Sequence, residues 1–170
     1  MKNLLTFLLC LTLYSCDDGD LTIETIDFDD IDIDYCDTTV TTSTTLFFKI
    51  NGNEALILTL ASGTLKNEAS DGEVEYPISS STTLTYRDFS DDVSSDYFCD
   101  AIPVTEPTVI EEIEAESGSV LITTTAIVDG ESTSYEHIIR LSEITFINAS
   151  NNQRITDLSI NDFGTVSTTN

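Results

Sequence analysis

Period two runs through this chain. Thr22-Ile23-Glu24-Thr25-Ile26-Asp27-Phe28 and Ile31-Asp32-Ile33-Asp34-Tyr35 alternate apolar with acidic or hydroxyl side chains. A strand turns successive side chains to opposite faces, whereas a helix would scatter this pattern around its axis, so the alternation selects half-buried strands. The phase breaks at Asp29-Asp30, the mark of a bulge or tight bend. Further runs of strand character are Thr45 to Ile50, Ala55 to Leu60, Val74 to Ile78, Thr82 to Tyr86, Val109 to Glu114, Val120 to Val128, Tyr135 to Ile147 and Arg154 to Ile160. Asn51-Gly52 and Asp129-Gly130 carry turn chemistry between such runs. Ser and Thr make up 44 of the 170 residues, and the branched Cβ of Thr favours a pleated backbone. No window beyond the first twenty residues keeps a helical period.

These runs predict an all-β fold, an Ig-like or jelly-roll-type antiparallel β-sandwich, with a barrel as the competing architecture. Tyr76-Pro77, Ile102-Pro103 and Glu106-Pro107 mark strand ends, and the last two bracket an expected crossover between sheets. Residues 21–170 read as one domain without internal repeats, and the tail Val166-Ser167-Thr168-Thr169-Asn170 is expected to fray. With 40% hydrophobic residues and a mean hydropathy of +0.01, the chain has apolar surface enough for a core.

The start of the chain has a different logic. Lys2 precedes an apolar run from Leu4 to Leu13, which as helix spans about 15 Å, half a bilayer core. A positive start and a short apolar run read as a cleaved secretory signal peptide over residues 1–15. Leu13-Tyr14-Ser15-Cys16 resembles the lipobox of bacterial lipoproteins, which implies that Cys16 receives the lipid and becomes the first mature residue. Asp17, Asp18 and Asp20 resemble the acidic export signal of surface lipoproteins in the Bacteroidetes, which makes residues 16–20 a lipidated, solvated tether. The implied location is the outer membrane, facing outward, with the acyl chains as the contact to the bilayer. Phe47-Phe48-Lys49-Ile50-Asn51, Tyr97-Phe98-Cys99, Ile102-Pro103 and Glu106-Pro107-Thr108-Val109 are similar to segments of small flavobacterial lipoproteins. That resemblance bears on location and fold alone.

Four cysteines are present. On the signal reading Cys10 is cleaved away and Cys16 is lipidated, which leaves Cys36 and Cys99 as an even pair in an exported chain, the setting for a disulfide. A zinc site is poorly supported, since the single His137 and two distant cysteines give no ligand spacing.

Charge excludes whole classes of partner. Thirty-one acidic residues against six basic ones give a formal net charge of -25, so nucleic acid and anionic lipid surfaces are repelled. Hard cations prefer several oxygen ligands, which makes Asp88, Asp91, Asp92 and Asp96 a candidate calcium site in a loop. The acidic stretch from Asp17 to Asp37 lacks the glycine an EF-hand loop needs, and reads as a solvated strand face that discourages edge pairing. His137, which shares one strand face with Tyr135 and Ile139, reads as a strand histidine with a satisfied hydrogen bond rather than a catalytic base. Tyr76, Tyr86, Tyr97 and Tyr135 are the aromatics a glycan platform would use, although a core role is commoner. Asp37-Thr38-Thr39 resembles the O-glycosylation acceptor of Bacteroidetes proteins, which implies Thr38 as the modified residue.

No nucleophile elbow accompanies His137, and the expectation is a chain without enzymatic activity. Its expected role is a surface-held binding or adhesion module for a glycan or protein. The alternative is a structural acidic envelope protein that holds divalent cations loosely.

Overall fold

The computed structural model describes residues 26, 28, 30–102, 104–148, 154–155 and 161–169. The signal segment, Cys16, Asp17, Asp18 and Asp20 lie outside the described residues, as do Pro103 and most of the run Thr22 to Phe28.

The fold is all-β and antiparallel, curled into a sandwich-like body as the alternation predicted. A first hairpin joins β1 (Leu46–Asn51) to β2 (Glu54–Thr59). Next come β3 (Val74–Pro77), β4 (Thr83–Phe89) and a short helix α1 (Asp96–Cys99). Two long strands follow, β5 (Val109–Asp129) and β6 (Ser132–Ile147), then β7 (Arg154–Ile155) and β8 (Asp162–Thr169). The sheet order is β1-β2-β4-β5-β6-β7, with β3 added on β5 and β8 on β6.

Both tight hairpins use glycine at the first central position. Gly52 and Gly130 each have φ of 63°, a left-handed conformation that a side chain disfavours and that suits the twist of a two-residue hairpin.

The two separate runs expected at Val109 to Glu114 and Val120 to Val128 are one strand. The N-terminal part of β5 pairs with β4 and its later part with β3, and between them the register against β6 shifts at Ala115, Ser117 and Ser119. At this bend Gly118 has φ of 118°, and an added Cβ would lie 2.8 Å from Ile144 Cα. Only glycine lets β5 and β6 approach that closely while both turn from one half of the sandwich into the other. The passage between halves therefore occurs inside the β5–β6 ribbon. The segment around the cis Glu106-Pro107 bond is not the expected crossover, because the chain leaves β4, forms α1 and returns as β5 to pair with β4 itself.

The run Ile31 to Tyr35 also departs from expectation. It makes one isolated bridge, Asp34 to Phe48, rather than a strand ladder. Its alternation persists in burial: Ile31, Ile33 and Tyr35 pack on the main core while Asp32 and Asp34 are exposed. The main core gathers Phe28, Phe47, Leu58, Ile113, Phe146 and Phe163. Phe48, Ala55, Ile57, Phe89 and Val93 form a second cluster on the outer face of β1, β2 and β4, covered by Tyr97 and Phe98 of α1. That second layer explains why β1 and β2 carry consecutive apolar residues where the other runs alternate.

Cys36 and Cys99 form a disulfide across 63 residues, tying the N-terminal segment to α1. Lys49, only 3% exposed, closes the opposite side of that segment. Its Nζ donates to the carbonyls of Phe28 at 3.0 Å and Asp162 at 3.2 Å and lies 5.8 Å from the Phe163 ring centroid.

Candidate functional site

The tail expected to fray belongs, as far as Thr169, to β8, which is laddered to β6 from Asp162 to Thr169 with one register shift at Phe163. Its inward residues Phe163, Val166 and Thr168 are buried, and this anchoring outweighs the entropy of a terminal segment. The sequence signal was weak because Gly164 breaks the alternation and Thr168 is a polar residue in a core position.

Gly164 also sets the geometry of the neighbouring segment. An added Cβ there would meet Ile33 Cβ at 2.9 Å, so the N-terminal segment lies directly on the start of β8. At Asp34 that segment turns to β1, exchanging backbone hydrogen bonds with Phe48 at 2.8 and 3.0 Å. At Cys36 it is held by the disulfide to α1. The segment and β8 thus diverge, and a cleft of about 500 Å³ opens between them.

One wall of the cleft carries Asp32, Ile33, Tyr35, Thr38 and Thr39. The other is β8 itself, through Thr165, Val166, Ser167 and Thr169. Hydroxyls dominate the lining and an apolar strip from Ile33 and Val166 runs beneath. Tyr35 is fixed by an edge contact to Phe47, with ring centroids 6.5 Å apart. Of the described residues given a candidate site role from sequence, only Thr38 lines this cleft, where it is exposed.

The calcium expectation at Asp88, Asp91, Asp92 and Asp96 is corrected. No three His, Cys, Asp or Glu side chains among the described residues come together to hold a metal. Asp88 Oδ1 accepts from Asn53 Nδ2 at 2.7 Å, Asp91 Oδ1 accepts the backbone N–H of Asp92 at 2.9 Å, and Asp96 opens α1. Asp88 and Asp91 each answer a local donor, and the four carboxylates do not gather into one group.

Tyr76, Tyr86 and Tyr97 do not form a platform either. Tyr86 is buried with its hydroxyl donated to Glu54, while Tyr97 packs edge-on against Phe89 at 4.9 Å within the second cluster. Tyr76 donates to the carbonyl of Thr64. It borders a smaller cavity of about 160 Å³ beneath residues 64–70.

His137 lies on a strand with its hydrogen bonding satisfied, as expected, and is also fully buried and bonded at both ring nitrogens. Thr168 Oγ1 donates to Asn67 Oδ1 at 2.6 Å, so its one proton is engaged and it accepts from His137 Nε2–H at 2.9 Å. Nδ1 is then the acceptor for Thr124 Oγ1–H at 2.9 Å. The chain Thr124–His137–Thr168–Asn67 joins β5, β6, β8 and the loop of residues 61–73, and so fixes the strand that forms one cleft wall.

Burial lowers the pKa of His137 below its ordinary 6.5, since the cation would lose its hydration. The unfolded chain therefore takes up the proton first. The stability this histidine contributes is complete above pH 6.5 and is lost as pH falls from there towards the folded pKa, by up to about 1.4 kcal/mol per pH unit. Urea melts at pH 8 and pH 5.5 should show a larger decline for the native chain than for His137→Gln. Taking the difference cancels the carboxylate contribution, and parallel declines would contradict the buried neutral ring.

Comparison with family models, with curated proteins and with solved structures finds no match to this chain.

Proposed function

We propose that this chain is a lipid-anchored, surface-exposed, non-enzymatic lipoprotein of the Bacteroidetes type, and that its β-domain binds a glycan or protein in the cleft beside β8. The anchor reading rests on Leu13-Tyr14-Ser15-Cys16 and on Asp17, Asp18 and Asp20. The binding reading rests on one observation. A cleft of about 500 Å³, within the range of ligand sites, pairs a hydroxyl-rich lining with an apolar strip from Ile33 and Val166. The exposed Thr38 on its wall would carry a glycan at the rim if the Asp37-Thr38-Thr39 acceptor is used.

Two measurements test this. Cys16→Ala should abolish fatty-acid labelling and membrane partitioning, and unchanged partitioning would sink the anchor. Thermal melts of the detergent-solubilised chain against glycans and peptides should find a ligand that raises Tm. At about 100 times its dissociation constant a ligand adds about 2.7 kcal/mol, or some 5–10 °C for a domain of this size. Thr39→Trp, which fills the cleft, should remove that shift; a shift that survives would place the ligand elsewhere.

The second reading, an acidic envelope protein with loose divalent-cation binding, is favoured by the exposed carboxylates of Asp30, Asp32, Asp34 and Asp37. It predicts equal small responses to calcium and magnesium and none to the panel.

A further inference from the structure

The cleft wall formed by β8 is a sheet edge. Among the described residues β8 is laddered on one side only, to β6. At its far end Asn67 Nδ2 donates to the carbonyl of Thr169 at 3.2 Å, so that carbonyl is turned away from β6. Backbone groups of alternate residues in an antiparallel strand face opposite edges. Thr165 and Ser167 therefore turn their N–H and C=O the same way as Thr169, towards the cleft.

An edge of this kind takes an added strand, because its backbone donors and acceptors match those of any extended chain. From Thr165 to Thr169 it runs about 14 Å, the span of five paired residues. Alternate side chains of that partner would face the apolar strip of Ile33, Tyr35 and Val166. The others would face outward, where the charge has one sign. Asp32 lines the cleft, Asp34 and Asp37 are exposed in the same segment of chain, and Glu136 pairs with Ser167 across the β6–β8 ladder. No described residue lining the cleft is basic. A net charge of -25 also repels a second copy of this chain, which argues against edge-to-edge pairing of two domains.

From this edge, cleft and charge pattern we infer that β8 captures an extended cationic polypeptide, with apolar and basic residues in alternation, as an added antiparallel or parallel strand. The inference rests on the binding-module reading of the same cleft and names its ligand class. Backbone pairing supplies the register-independent part of the affinity, and the carboxylates select sign and raise the rate of encounter.

The test uses the full chain in detergent and a labelled, end-capped seven-residue peptide of alternating lysine and valine, read by fluorescence anisotropy at about 0.15 M salt, near a Debye length of 8 Å. Its analogue methylated at every backbone nitrogen keeps all charges and loses every N–H donor. The native peptide should bind at least tenfold more tightly than this analogue, and a glutamate–valine peptide should not bind. Ser167→Pro removes an outward N–H and should cost tenfold, and Asp32→Asn with Asp37→Asn should weaken binding severalfold. Equal binding of the methylated analogue would reduce the contact to net-charge attraction and overturn strand addition. Absence of peptide binding, with a glycan shift that Thr39→Trp removes, would overturn strand addition while leaving the cleft a binding site. Silence in both assays would overturn both readings.

Discussion

A Gly118→Ala variant is expected to lose about 3 kcal/mol of stability and some 6–12 °C in Tm. Two costs combine at this position. The φ of 118° is one that L side chains rarely adopt, and the new methyl would sit 2.8 Å from Ile144 Cα and 2.9 Å from the carbonyl oxygen of Ser142. Backbone cannot yield as a flexible side-chain end can, so β5 and β6 would have to part at the bend that carries them between the two halves. Gly130→Ala is the control. It has φ of 63° with nothing within 4 Å of the added carbon, and should lose only about 1 kcal/mol. Urea melts of both variants decide the matter: similar losses would mean that steric contact at Gly118 does not set the bend.

Removing the disulfide should have an effect of comparable size. The Cys36→Ala, Cys99→Ala double variant removes both partners of the bridge and frees a loop closed across 63 residues, for which chain entropy predicts a loss of about 4 kcal/mol, or some 8–16 °C. The structural consequence is local as well. Cys36 ends the part of the N-terminal segment bonded to β1, and residues 38–40 just beyond it line the cleft. Cys99 belongs to the helix that covers Phe48 and Ile57. Amide exchange should therefore quicken in residues 36–40 and 94–100 before it quickens in β5 or β6. A loss below about 1 kcal/mol would show that the native packing alone orders both segments.

Much of the fold was legible in the chain because period two reports which side chains share a face. The runs at Thr45 to Ile50, Ala55 to Leu60 and Val74 to Ile78 each fall within a residue or so of β1, β2 and β3. His137 was legible for a related reason: a polar ring between Tyr135 and Ile139 on an inward face must find partners, and Thr124 and Thr168 are those partners. The candidate site was almost entirely illegible. Thr165, Ser167 and Thr169 are polar residues on the outer side of a terminal strand, with no composition to distinguish them from a loose end. Thr38 was noted for a modification motif and not for the cleft it borders. The acidic loop from Asp88 to Asp96 invited a metal reading because spacing counts carboxylates without saying where they point.

By itself the sequence determined that this protein is all-β, where β1 to β4 and the two tight turns fall, and that its surface repels anions; it left Cys36 and Cys99 as a pair only on the signal reading. Alternation, turn chemistry and charge are local or additive properties, and they survive whatever the strands pair with. Only the tertiary structure decided that β5 and β6 run unbroken through both halves, that the tail is a strand, and that a cleft lies between it and Ile33. Those depend on contacts between residues more than a hundred positions apart, such as Lys49 Nζ on the carbonyl of Asp162 and Thr168 on Asn67. A periodic pattern names the face a residue takes and is silent on its neighbour across the sheet.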